Sequence, residues 1–264
     1  MTILPATIGQ QAAGTKQTAT SSSTIGAVVN GNVRAGDPVI LGAYVVGADC
    51  TLAVDAGDGW VILDAGYDSV NGYGILLAAC LSPKTGAWTG AGMTLPGNAA
   101  FTAQTVFYGI TPSGAISDRS FGRLKPEQAS GSRNGANGWF NDTASSTTLT
   151  IPRRDGPGYN QFLEFAVCGY TNDGSNPVET VSTAGSWVED SDVGQNSPAH
   201  GLWMGRLTAP VAVATHGLPF EAGINLTISA ACTNRAGVRC CIPIVGNLNA
   251  TRFRNRYMSS RRMG

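Results

Sequence analysis

The sequence predicts an all-β chain: two tandem, related β-sandwich domains of jelly-roll or immunoglobulin-like kind, with extended termini. Two observations carry that prediction. The first is short apolar runs, rich in β-branched and aromatic residues, separated by frequent turn residues, with Gly 35 and Pro 13 among 264 residues. The second is internal duplication. Around Trp60 the chain reads Asp58-Gly59-Trp60-Val61-Ile62-Leu63, and fourteen residues on an apolar run opens at Gly74. Around Trp187 it reads Gly185-Ser186-Trp187-Val188-Glu189-Asp190, and fourteen residues on another run opens at Gly201. The two tryptophans are 127 positions apart, which reads as a duplicated domain and not a short-period solenoid.

The elements follow in order. Residues 1–22 form a polar Gln/Thr/Ser/Ala-rich arm without periodicity, expected to be either disordered or ordered only against a neighbouring subunit. Residues 23–115 make the first sandwich. Gly36-Asp37-Pro38 is a turn, Val39 to Gly47 a strand, and 55–59 a second turn leading into the Trp60 strand. Gly74 to Leu81 and Ala103 to Ile110 complete it, with Leu95-Pro96 as a turn between them. Residues 116–145 are turn-rich and read as a linker or long loop. The second sandwich spans 146–236, with strands at Thr147 to Ile151, Phe162 to Tyr170, Ser186 to Glu189, Leu202 to Leu207 and Leu226 to Cys232; Leu218-Pro219 repeats the turn. A basic tail occupies 237–264.

Composition narrows the function classes. Formal net charge is zero, so no global field draws the chain to nucleic acid or to an anionic surface. No apolar run reaches the length of a membrane-spanning helix, and membrane insertion is not expected. The N-terminus has no basic region followed by an apolar stretch, so a chain made in the cytoplasm without a secretory signal is expected. The six cysteines match no zinc or C-x-x-C spacing. Cys80, Cys168 and Cys232 lie in apolar runs and read as small buried hydrophobes. Cys240 and Cys241 are adjacent and do not suit pairing with each other, although either could reach another strand.

Catalytic and cofactor signatures do not emerge. His200 and His216 stand in Pro-Ala-His-Gly and Thr-His-Gly-Leu-Pro, read as surface loops, and no G-x-S-x-G elbow accompanies them. Glu189, Asp190 and Asp192 read as solvated turn charges, because the first copy does not share them as a pair for glycoside hydrolysis. Neither these nor Asp55 and Asp58 fit the calcium-loop spacing. There is no phosphate loop or dinucleotide fingerprint. The expectation is no catalytic residue, no metal and no cofactor.

Binding candidates lie in what the copies do not share. Trp60 and Trp187, being equivalent, read as core plugs. Trp88 and Trp139 read as loop tryptophans able to stack on a sugar or anchor a protein contact. After Glu221 there is no acidic residue, while Arg235, Arg239, Arg252, Arg254, Arg256, Arg261 and Arg262 accumulate. Three uses fit that tail: a grip on nucleic acid, which zero net charge disfavours; a dock into an acidic groove of a neighbouring subunit; or simple solvation.

A polar Thr/Ser lead-in, then Ala35-Gly36-Asp37 before an apolar strand, Gly59-Trp60 at the next strand, and a closing Val106-Phe107-Tyr108-Gly109 together resemble the β-sandwich domains of tailed-bacteriophage virion proteins. The resemblance covers most of residues 20–235, and the second copy departs from it in having Ser186 before Trp187. It implies a non-enzymatic virion component of the minor tail or tail-tip type, assembled through its terminal arms. Its partners would be other virion proteins and copies of itself, with contact to a host-surface glycan as a further expectation. A capsid decoration or head-spike protein is the alternative within that class, and a carbohydrate-binding lectin module the alternative outside it.

Overall fold

The computed structural model describes residues 6–13, 17–33, 38–47, 53–54, 60–81, 86–112, 123–124, 130–131, 140–151, 161–171, 179–181, 187–196, 199–207, 211–212 and 224–245. All regular structure among them is strand. The first half holds β1 (Ala6–Ala13), β2 (Gln17–Val33), β3 (Pro38–Val46), β4 (Ala53–Val54), β5 (Val61–Asp68), β6 (Tyr73–Leu81) and β7 (Gly86–Pro112). Three short strands come next: β8 (Arg123–Leu124), β9 (Ser130–Gly131) and β10 (Phe140–Asp142). The second half continues with β11 (Ser146–Ile151), β12 (Gln161–Thr171), β13 (Glu179–Val181), β14 (Trp187–Asn196), β15 (Ala199–Leu207), β16 (Val211–Ala212) and β17 (Ile224–Val245).

The strands form two antiparallel sheets of matching order. One runs β1-β7-β3-β6-β5, with β2 and β4 also on β7; the other runs β10-β17-β12-β15-β14, with β11 and β13 also on β17. The correspondence reaches single residues. Val46 pairs with Tyr73 and Asp68 with Tyr73; Thr171 pairs with His200 and Gln195 with His200. The register of β5 on β6 slips between Ile62 and Asp64, and that of β14 on β15 slips between Glu189 and Ser191. Adding 127 to the first pair gives the second, so one β-bulge has been kept in both copies.

The chemistry of the runs explains the layers. In β3 and β6 every side chain from Val39 to Val45 and from Tyr73 to Cys80 is buried, as expected of strands covered on both faces. Alternate residues divide between two cores. Ile40, Tyr44, Ile75 and Leu77 meet Phe165, Val167, Leu202, Met204 and Val238 in a core between the two sheets. Val39, Leu41, Leu76 and Ala78 face outward, where Ile25 and Trp60 cover them. The second sheet has its own outer core of Leu149, Ala166, Cys168, Trp203 and Leu226, with Trp187 and Phe140 packed against it. Trp60 and Trp187 thus plug equivalent outer cores, and Cys80, Cys168 and Cys232 are buried free thiols, as is Cys240.

Close approach between the sheets is set by glycine. Tyr44 and Gly169 occupy equivalent register positions, opposite Ile75 and Leu202 respectively. A Cβ on Gly169 would lie 2.2 Å from the Tyr44 ring. Gly42 and Val167 are likewise equivalent, and a Cβ on Gly42 would stand 3.0 Å from Val167 and 2.7 Å from Met204. At each position one copy supplies the side chain and the other the space.

Several sequence expectations are corrected. The stretch read as an aperiodic arm carries β1 and the start of β2, both hydrogen-bonded to β7. Thr- and Gln-rich composition suits a strand on a sheet margin, which hides few side chains. The stretch read as a linker carries β8, β9 and β10, all paired with β17. The Leu95-Pro96 pair lies within β7 and not at a turn. Leu218-Pro219 and the 36–37 and 55–59 turns lie outside the described residues.

Candidate functional site

Two polar clusters interrupt the apolar layers. The first is built on the β14 bulge. The extra residue there, Asp190, points inward and forms an ion pair with Arg206, the aspartate side chain fully buried and the arginine side chain 8% exposed. Beside it the Trp203 indole N–H donates to Glu189 Oε2 at 3.1 Å. The Arg239 guanidinium lies 5.6 Å from the Trp187 ring centroid, on the outer face of the same sheet. Glu189, Asp190 and Asp192, read from sequence as solvated turn charges, belong to strand β14. The alternation that would betray a strand is broken there by the bulge, and the partner of Asp190 lies sixteen residues away.

The second cluster sits where the two halves meet, around Tyr44. Its hydroxyl donates to the Asn234 carbonyl at 2.6 Å and lies 3.1 Å from Thr171 Oγ1. Its ring stands between Tyr73 and His200, with centroid separations of 6.1 and 6.4 Å. Tyr73 and His200 are equivalent positions of the two copies. His200 is fully buried in β15, so the expectation of a surface-loop histidine is corrected. Its neighbours Pro198, Ala199 and Gly201 read as a turn and concealed a strand whose large apolar side chains begin two residues later, at Leu202.

Asp68 closes the β5–β6 turn. Its Oδ1 accepts from the backbone N–H of Val70 (2.9 Å) and Asn71 (3.0 Å), and its Oδ2 from the Asn71 amide (2.9 Å). The Asn71 amide foremost, with those backbone N–H groups and the Asn141 amide, holds the Asp68 carboxyl below the usual range against an opposing effect of burial. Burial, and next the Asp68 charge, push the Tyr73 phenol up to about 12; Asp142 acts in the same direction and the nearby Asn141 amide in the other. Asp142 in turn pairs with Arg235, which also donates to the carbonyls of Thr148 and Ala144. β10 and its following turn are thereby clasped to β17.

The arrangement ties carboxylates to guanidinium, indole and amide donors. Among the described residues no group of three or more His, Cys, Asp or Glu side chains converges as metal ligands would. No helix of the described residues is long and apolar enough to cross a membrane.

Of the residues singled out from sequence for binding, Trp88 lies in strand β7 and not in a loop. Its neighbours Ala87 and Thr89 pair with Asn32 and Val28 of β2, a pairing hidden by the Gly-rich sequence. Trp139, Arg252, Arg254, Arg256, Arg261 and Arg262 lie outside the described residues, as do His216, Asp55 and Asp58. Sequence reasoning missed Arg206 and Tyr44, and it counted Arg235 and Arg239 with the basic tail although both are buried in β17, which runs on to Val245. The offset of 127 is the signal that exposes Arg206, since it aligns that residue with apolar Ala79.

Comparison with protein-family models, with curated proteins and with solved structures returns no match.

Proposed function

We propose that this chain is a non-enzymatic structural component of a tailed-phage virion, most simply a minor tail or tail-tip protein, built from two tandem β-sandwich domains. Each half supplies one sheet, and strands folded over its outer face supply a second layer: β2 and β4 in the first half, β11 and β13 in the second. The observation that carries the reading is where the charged side chains go. Two of the three buried arginines of the second half fix strands, Arg206 on the β14 bulge and Arg235 on the β10 clasp, and the third, Arg239, lies over the Trp187 ring. That is the economy of a scaffold, in which polar groups specify register and packing. The sequence resemblance to virion β-sandwiches supports the same reading, and the arginine-rich end supplies a segment suited to a neighbouring subunit. Its partners are then other virion proteins and further copies of the chain, and no cofactor is called for.

Purified phage particles, probed with antibody to this chain by immunoblot and by gold labelling in the electron microscope, test the proposal. The chain should co-purify with particles and label the tail end. Label confined to heads would replace the tail assignment with that of a capsid decoration. Recovery only as free protein in the lysate would overturn the virion reading.

A further inference from the structure

The two sheets end in equivalent strands, β5 and β14, and among the described residues no strand pairs with the outer side of either. Such edges template further strands unless something blunts them, commonly a bulge or an inward-pointing charge. Both carry the bulge, but the residue it places inward differs: Asp190, held by Arg206, in β14, and apolar Leu63 in β5. The β5 bulge therefore holds no ion pair; the inward-facing charges of this edge are the two strand carboxylates, Asp64 and Asp68. The edge also belongs to a hairpin with two exposed apolar side chains, Ile62 (42%) and Val70 (90%). From Trp60 to Leu81 there are two carboxylates, Asp64 and Asp68, and no basic residue.

We propose that β5 is the docking edge for segment 251–257 of a second copy of this chain. The inference rests on the reading of the chain as an assembly component. The two faces of the edge match the two faces of that segment. Asp64 and Asp68 register with Leu77 and Tyr73, on the face toward the other half, whereas Ile62 and Ala65 register with Ala78 and Leu76 on the opposite face. Thr251-Arg-Phe-Arg-Asn-Arg-Tyr257, laid down as a strand, presents Arg252, Arg254 and Arg256 on one side and Phe253 and Tyr257 on the other. The outer arginines of that row are four residues apart, as are the two aspartates. Main-chain hydrogen bonds along the edge would supply affinity and the arginine row direction, as in strand addition generally. Because donor segment and acceptor edge are different surfaces, the contact is heterologous and propagates from copy to copy.

The full-length chain tests this by sedimentation over a range of concentrations at low and high salt, with hydrogen exchange read on residues 61–68. Wild type should associate as concentration rises, dissociate with salt, and gain protection in β5 on association. With the segment antiparallel to β5, Arg256 falls opposite Asp64, so Asp64→Lys and Arg256→Glu should each weaken association at least tenfold with unchanged melting, and an equimolar mixture of the two should recover it as the charges complement. Three results overturn the proposal: a wild-type monomer throughout, association indifferent to both substitutions, or tail-dependent association that leaves β5 unprotected. A chain found in particles yet monomeric in solution would sink this inference alone. A self-associating chain absent from particles would sink the virion reading alone.

Discussion

Asp190 and Arg206 form a buried ion pair at the two positions that Leu63 and Ala79 hold in the other half of the molecule. Val188 stands opposite Arg206 as Val61 stands opposite Ala79, and the bulge falls at the same place in both. The duplicated frame thus tolerates either an apolar contact or a pair of opposite charges.

That equivalence predicts a non-additive mutant series. Arg206→Met or Asp190→Leu alone strands a buried charge and should cost about 3–5 kcal/mol. The double substitution removes both charges and should come within about 1 kcal/mol of wild type, or exceed it. Urea unfolding of the three variants measures the coupling, and an additive loss in the double variant would show that the bulge requires the charges.

Gly169→Ala is expected to be far more damaging than an exposed glycine substitution. Its Cβ would lie 2.2 Å from a Tyr44 ring whose hydroxyl is already held by the Asn234 carbonyl, so the ring has nowhere to go. Overpacking of this kind costs about 1–3 kcal/mol. Tyr44→Phe should lose about 0.5–1.5 kcal/mol by thermal or urea melts, through its hydroxyl alone.

Alkaline pH should loosen the junction of the halves through Tyr73. Its pKa rises from 10.0 to about 12 on folding, so between those values the folded chain holds a proton that the unfolded chain releases. Stability therefore falls as pH climbs through that window, and is fully present below it. At the acid end the lowered Asp68 carboxyl acts oppositely: its contribution is present above the ordinary aspartate range and fades as pH drops through the folded value. Phenolate absorbance during titration should show a late-ionising step that Tyr73→Phe diminishes.

Removing residues 1–13 should lower the melting temperature by several degrees, because β1 covers the β7 edge from Val106 to Pro112. An unchanged melt would contradict the placement of β1.

Much of the strand pattern was legible because buried runs such as Val39–Val45 and Ile75–Cys80 are apolar throughout, and the offset of 127 aligned β6 with β15, while β3 and β12 correspond at 125. Three things were not. The lengths of β7 and β17 were hidden because each passes from one layer to another, so its pattern changes and Pro96 and Asn234 look like stops. The burial of Asp190 and His200 depends on partners that only strand register brings near. The meeting of the two halves rests on Gly169 and Gly42, where the informative feature is a missing side chain. The tryptophans and arginines chosen for binding were picked by their difference between copies, a criterion blind to β7 continuing through Trp88.

The length of β7 and β17 bears on how the molecule comes apart. β7 sends Ala99 and Phe101 into the first outer core and Val106 into the central one; β17 sends Leu226 into the second outer core and Val238 and Cys240 into the central one. Neither outer layer can peel away without dragging on a strand that also staples the middle. Melting should accordingly follow a single cooperative transition, with no stage at which one half has come undone while the other stands.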